Sequence, residues 1–268
     1  MSEDGGQEFR VVLDGVDLTL GGRRVFRGLS CGFPRGQISV VLGGSGAGKS
    51  TVLRLIAGLQ RPDGGSVRIA GQDITRISER ALFVVRNQIG MLFQGGALLD
   101  SMTIFDNVSL PLREHSDLSE EAIARQVGQR LEAVGLPGTG DLYPRQLSGG
   151  MVRRAGLARA IVTDPEIVLC DEPFSGLDPV NVRRIEALMV ELNRRLGITL
   201  IVTSHHLASS LRMAGRLTFL VDGRAIVGPP AEVLASADSR VVEFLEAERD
   251  GPVATGAAES AADPGAAA

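Results

Sequence analysis

The sequence predicts an α/β fold with a core of parallel strands, on three observations. Short, continuous apolar runs recur, "QISVVLG" at 37–43, "EIVLC" at 166–170 and "ITLIVTS" at 198–204, as expected for strands buried on both faces. Segments with apolar residues three and four apart lie between these runs, and such helices cover a sheet. The stretch 95–145 then interrupts the alternation with mainly helical material, an inserted subdomain.

Taken in order, "FRVVLDGVDLTL" (9–20) alternates and is rich in β-branched residues, so it reads as a strand. The apolar run at 37–43 ends in glycines and leads into a helix at 49–59, with Val52, Leu53, Ile56 and Leu59 on one face. "GGSVRIAGQDI" reads as a turn and a strand. An amphipathic helix at 120–136 carries Ile123, Val127, Leu131 and Val134 on one side. A second helix at 149–164 precedes the run at 166–170, and a third, at about 180–196, precedes the run at 198–204. From 250 onward the chain offers one Val and no larger apolar side chain, too little to offset its ordering entropy. The expected organisation is therefore a domain at 9–246, its helical insert at about 95–160, and a largely disordered tail at 247–268.

A chain of 268 residues can bury a sizeable core. The net charge of −4 argues against a nucleic-acid partner, since such domains usually carry a basic surplus. Two cysteines, Cys31 and Cys170, form no disulfide framework, which suits a reducing compartment. The N-terminus is acidic and without an apolar segment, so no signal peptide is expected. No uninterrupted apolar run reaches the ~18 residues of a membrane span.

One residue stands apart in this composition. Of the 28 basic residues, 27 are Arg and a single one, Lys49, is Lys. It sits in "GGSGAGKS" (43–50), which fits the phosphate-loop pattern G-x-x-x-x-G-K-[ST] between a strand and a helix. In such a loop the backbone of Gly43, Gly44, Ser45, Gly46, Ala47 and Gly48 closes around phosphate oxygens, and the helix opening at Lys49, Ser50 and Thr51 adds its dipole. Lys49 reaches the β- and γ-phosphates as a compact point charge, a role the wide planar guanidinium cannot fill. The Ser50 hydroxyl then ligates Mg²⁺. "EIVLCDEP" (166–173) supplies the complement, an apolar strand ending in two carboxylates. Asp171 is placed to hold Mg²⁺ at the strand's C-terminal edge, directly or through water, and Glu172 to polarise an attacking water.

"LSGGM" at 147–151 is a second glycine pair at a helix start. With the phosphate loop, "MLFQ", "CDEP", "SGLDP" and "TSHH", in that order over roughly 9–245, the chain resembles the ATP-binding cassette of ABC transporters. The resemblance implies a RecA-like parallel core, an antiparallel β subdomain and an inserted helical subdomain. It also implies a homodimer of cassettes with ATP sandwiched between the phosphate loop of one copy and the LSGG of the other. Carried over by residue, Gln94 is the glutamine near Mg²⁺ and the transport-domain contact, and Ser148, Gly149 and Gly150 face the partner's γ-phosphate. Residues 175–178, ending in Asp178, cross the dimer seam, and His205 is the switch histidine. Within the family, "MLFQGGALLDSMTIFDNVSLPLREH" and Met151 are most similar to the ATPase subunit of Mla-type, MCE-associated phospholipid transporters. This resemblance implies an integral membrane permease, an MCE-domain protein and a small STAS-type subunit as partners, at the cytoplasmic face of the bacterial inner membrane. The permease contact is expected between Gln94 and His115, where Leu98, Leu99 and Met102 could form a groove.

The sequence departs from the family in places. Leu20 stands where a stacking aromatic is usual, which leaves an arginine or aliphatic atoms to carry the base and leaves ATP against GTP open. His206 follows the switch histidine where Asp is usual. The competing readings are an importer motor for another substrate and a non-transport ABC ATPase. The latter usually carries two cassettes, a long coiled coil or a basic arm, none of which is evident. A phosphate-loop kinase would lack the LSGG and histidine motifs.

Overall fold

The structure, a computed structural model, describes residues 8–249, with no side chains described beyond 246. In chain order the elements are β1 (Phe9–Leu20), β2 (Arg23–Pro34), β3 (Ile38–Leu42), α1 (Lys49–Ile56), β4 (Gly64–Ile69), β5 (Gln72–Asp73), α2 (Glu79–Arg86), β6 (Ile89–Leu92), α3 (Ile104–His115), α4 (Glu120–Ala133), α5 (Gly149–Ala160), β7 (Ile167–Asp171), α6 (Pro179–Leu196), β8 (Thr199–Thr203), α7 (Leu207–Met213), β9 (Arg216–Val221), β10 (Arg224–Gly228), α8 (Pro230–Leu234) and α9 (Ser239–Arg249). They form a four-stranded sheet, β2-β1-β4-β5, and a six-stranded sheet, β10-β9-β3-β8-β7-β6. The smaller sheet is antiparallel, and the larger is parallel except for the β9–β10 pair.

The continuous apolar runs have a physical reason. Each central strand of the large sheet is buried on both faces, and its alternate side chains enter different cores. Ile38, Val40 and Leu42 of β3, Val168 and Cys170 of β7, and Leu200 and Val202 of β8 pack with α3–α6. Val41, Ile167, Leu169 and Ile201 point the other way, toward α1 and the antiparallel sheet with its Leu13, Phe26 and Phe33. Parallel strands share one carboxyl-terminal edge, so the loops after β3, β6, β7 and β8 emerge side by side. Ligands of open α/β sheets bind along that edge.

Helix ends follow local chemistry. Asp178 caps α6 by accepting from the Val180 and Asn181 N–H groups, each at 3.0 Å, with Pro179 as its first residue. Gly197, at φ 65°, ends the same helix. The expected helix at 49–59 is shorter than its spacing implied. It stops at Ile56, and Gly58 turns the chain at φ 64°, leaving Leu59 57% exposed rather than on the buried face. The helices expected at 120–136 and 149–164 likewise stop at Ala133 and Ala160, although Val134 stays buried. Residues 95–103 form turns rather than helix, ordered by the buried Asn107, whose side chain bonds to the backbone of Leu99, Met102 and Thr103. Helix α9 continues to Arg249, past the expected start of the tail at 247, and 250–268 lie outside the described residues.

Candidate functional site

A cleft of about 380 Å³ lies along the carboxyl-terminal edge of the parallel strands. Its walls bring together Ser45, Gly46, Gly48, Lys49, Ser50 and Thr51 after β3, Gln94 after β6, Glu172 and Ser175 after β7, and His205 after β8. Residues up to 156 positions apart in sequence (205 − 49) thus share one site because four strands end side by side.

The loop after β3 depends on backbone freedom. Gly48 caps α1 at φ 99°, and a Cβ there would meet the Phe26 ring at 2.8 Å. A larger residue would be strained and would also displace the hairpin of β1 and β2. The Lys49 ammonium folds back within the loop. It donates to the Gly43 and Gly44 carbonyls at 3.0 and 3.3 Å and pairs with a Glu172 carboxylate oxygen at 3.3 Å. The lysine and glutamate side chains are only 10% and 13% exposed, so each charge relies on the other. The other Glu172 oxygen lies 2.7 Å from His205 Nδ1.

Glu172 itself sits at φ 45°, in the left-handed region that a non-glycine residue rarely adopts. Its N–H donates to Thr203 Oγ1 at 3.0 Å. The same hydroxyl donates to Asp171 Oδ1 at 2.7 Å, and Ser50 Oγ donates to that oxygen at 2.9 Å. Thr203, on β8, therefore holds both acids at the end of β7 through one side chain. It opens the "TSHH" stretch without having been singled out there, although its place at the end of a buried strand is a usable signal. Two arginines, the buried Arg153 and the half-buried Arg159, were missed for a similar reason. Arg153 of α5 donates to the carbonyls of Pro173 and Ser175, and Arg159 donates to those of Gly96 and Ala97. Burial holds both guanidinium pKa values below their ordinary value. They tie the segments following Glu172 and Gln94 to the helix that begins at Gly149.

Of the two adjacent histidines, His205 reaches Glu172. His206 instead caps α7 and sits edge-on to Phe174, with the two imidazole rings 4.3 Å apart. Downstream, where the sequence lacks the usual acids, α7 is anchored by Arg212. It forks onto the buried Glu186 of α6 at 2.5 and 2.8 Å.

Ser148, Gly149, Gly150 and Asp178 are not in this cleft. They gather at a second surface formed by the starts of α5 and α6. Ser148 and Gly149 are exposed, and a Cβ at Gly150 would meet Asn181 Oδ1 at 2.7 Å. Asn181 in turn bonds Asp178, whose carboxyl is held below the usual range by the Asn181 N–H and side-chain amide. Of the residues expected to form a groove, Leu98 packs on the core and Leu99 is exposed, and a hollow of about 630 Å³ in the same region is lined by Met91, Phe93, Leu110, Pro111 and Leu118 among others.

The cleft's oxygen set suits a hard cation bound with phosphates: a carboxylate oxygen of Asp171 with the Ser50 hydroxyl against it. Among the described residues, no three or more His, Cys, Asp or Glu are grouped so that they could hold a metal ion.

Comparison with known proteins agrees with this geometry. The chain is 45% identical to the intermembrane phospholipid transport system ATP-binding protein MlaF of Haemophilus influenzae, over 87% of this chain and 89% of that protein. It is 39% identical to the probable ribonucleotide transport ATP-binding protein mkl of Mycobacterium tuberculosis, over 91% of this chain and 68% of that one. The dimeric ATP-binding cassette MJ0796, solved in a post-hydrolysis state bound to ADP and Pi, superposes with a TM-score of 0.74 at 28% identity, covering 82% of this chain and 98% of that one. A family model for ABC transporters matches residues 26–175, and with these relatives it shows that the chain belongs to the ABC transporter family.

Proposed function

We propose that the chain is the ATPase subunit of an Mla-type transporter that uses ATP hydrolysis at a cassette dimer interface to move phospholipid between bacterial membranes. One observation carries the chemistry: Lys49, Ser50, Asp171, Glu172 and His205 converge on one cleft at the ends of parallel strands. The substrate class rests on the MlaF relatives, which match at higher identity and over more of their own length than mkl does. A ribonucleotide substrate is the second reading.

In this mechanism the loop's N–H groups and the α1 N-terminus bind the β- and γ-phosphates. Lys49 exchanges its loop carbonyls and Glu172 for phosphate oxygens. Glu172, released from the lysine, polarises the attacking water, and His205 contacts the γ-phosphate. Ser50, Asp171 and Gln94 would hold Mg²⁺, which neutralises charge on the β- and γ-phosphates. Thr203 keeps both acids at their stations. Ser148–Gly150 and Asp178, which among the described residues have no bond to the cleft of their own copy, would complete the cleft of a second copy.

Among the described residues no helix is long and apolar enough to cross a membrane. The chain is therefore proposed to sit peripherally at the cytoplasmic face of the inner membrane. It would carry the cassette at 9–246, the helical subdomain at 95–160 and a C-terminal extension. The permease is proposed to dock in the groove at Phe93 and Leu118, with MCE-domain and STAS-type subunits in the same complex. Tagged purification from native membranes tests this, with identification of co-purifying subunits and lipid. Phe93→Asp and Leu118→Asp should lose the permease while retaining nucleotide binding. Recovery with a complex lacking lipid-transport subunits would overturn the substrate class.

A further inference from the structure

We infer that Arg23 and Val25 form the seat of the nucleotide base, and that this seat accepts guanine as readily as adenine. The inference rests on the assignment of the cleft to a nucleoside triphosphate. Two hollows, of about 380 and 540 Å³, meet at Arg23, Val25, Ser45 and Gly46. The first holds Lys49, Ser50 and Glu172 and is where a triphosphate belongs. A nucleotide continuing from there past Ser45 and Gly46 has only the second hollow for its base and ribose.

No aromatic ring stands among the walls of that second hollow, where Arg23, Arg24, Val25, Arg27, Ser45 and Asp222 carry the larger and polar side chains near the phosphate loop. Leu20 is not a wall residue. It pairs with Arg23 across the Gly21–Gly22 turn and lies half-buried against the core. Arg24 is paired with Asp17 at 2.6 Å, and Asp222 is held by Arg240 at 2.8 Å. Arg23 has no carboxylate partner among the described residues, and a Cβ on Gly46 would stand 3.9 Å from its Nη1. Arg27 likewise has no carboxylate partner among the described residues, but only Arg23 also borders the triphosphate hollow, so the planar surface nearest the phosphate loop is the Arg23 guanidinium, with the Val25 side chain beside it.

A guanidinium stacks on the π face of any base. Telling adenine from guanine requires groups that read the base edge, and rejection is strong only where such groups are built in. The one neutral hydrogen-bonding side chain on these walls is Ser45, which belongs to the phosphate loop. Stacking without edge contacts gives affinity without selection.

The test measures equilibrium binding of ATP, GTP and inorganic tripolyphosphate to the full-length chain and to its variants. ATP and GTP should bind the unmodified chain within about tenfold of each other, the range left when stacking alone distinguishes bases. Arg23→Ala should weaken both nucleotides by about five- to thirtyfold and leave tripolyphosphate unaffected, and Arg23→Tyr should restore both. Rejection of GTP by about a hundredfold or more would overturn base tolerance. An Arg23→Ala chain that binds both nucleotides normally would remove Arg23 from the seat, and equal losses for tripolyphosphate and ATP would make it a phosphate ligand instead. In each of these cases Lys49→Ala, which should abolish binding of all three, still marks the cleft as the triphosphate site. Undiminished binding to Lys49→Ala would overturn that site and the base seat with it.

Discussion

At its phosphate end the nucleotide cleft is walled by the ends of buried parallel strands, and its side chains hold one another: Lys49 to Glu172, Glu172 to His205, Thr203 and Ser50 to Asp171. At its base end it is walled by an exposed hairpin turn and by an arginine with no acid partner. Position is thus fixed many times over at one end and once at the other. A network whose members are each held by two contacts transmits the loss of any one of them, whereas a lone exposed side chain loses only its own contact. Chemistry needs reacting atoms placed to fractions of an ångström, but holding a base needs only a flat surface. Substitutions at the phosphate end should therefore act on turnover, with Lys49 acting on binding as well, and those at the base end on affinity alone.

The largest effect is expected from Glu172→Gln. Turnover in the assembled transporter should fall by about 10²–10⁴-fold, the scale of a positioned base, while nucleotide binding persists. Near-normal hydrolysis would end the role proposed for this residue. Lys49→Arg comes next and should behave almost as Lys49→Ala in both binding and ATPase assays, because the planar fork does not fit a loop where Nζ bonds two carbonyls. An arginine variant with most of its activity would mean that any cation serves at this position.

For the neighbouring imidazoles, His205→Ala should reduce turnover by about tenfold or more, and His206→Ala by less than about threefold, since the first lies 2.7 Å from Glu172. The opposite order would move the switch by one residue. Thr203→Val keeps the shape of a buried side chain but strands the Glu172 N–H and leaves Asp171 Oδ1 with the Ser50 hydroxyl alone. A loss of about five- to tenfold in turnover, with little change in nucleotide affinity, is the expected reading for one such hydrogen-bonding group. The smallest change is expected from Val25→Ala, about a two- to threefold rise in KM from lost apolar contact at the base end. If it instead lowered turnover as Thr203→Val does, the two ends would not be separable.

The same division governs what the sequence disclosed. β3, β7 and β8 were legible because burial on both faces writes an unbroken apolar run, and the phosphate-loop pattern depends on backbone geometry that only certain residues allow. β2 carries arginines and glycines at exposed positions and bulges against β1, so periodicity does not announce it. Leu59 misled because helical spacing runs on past the residue where Gly58 ends the helix. How far Leu98, Leu99 and Met102 are exposed could not be read in advance, because Asn107 pins the turn before α3 by contacts that no local pattern encodes. Thr203, Arg153 and Arg159 act by bonds between distant segments, and such bonds appear only once the strands are side by side. The convergence of Lys49, Asp171, Glu172 and His205 could be anticipated from motif order, but the left-handed backbone of Glu172 could not.

The lysine tucked under Glu172 also makes the molecule its own probe. With 27 of 28 basic residues arginine, the chain offers a single lysine amine to an acylating reagent, and that amine lies inside the site it would report on. Both thiols are buried and pushed up to about 12 by desolvation, so neither Cys31 nor Cys170 competes as a nucleophile near neutral pH. Mass added at Lys49 would then count empty cassettes directly, and protection from acylation would titrate occupancy in an intact membrane without any engineered label.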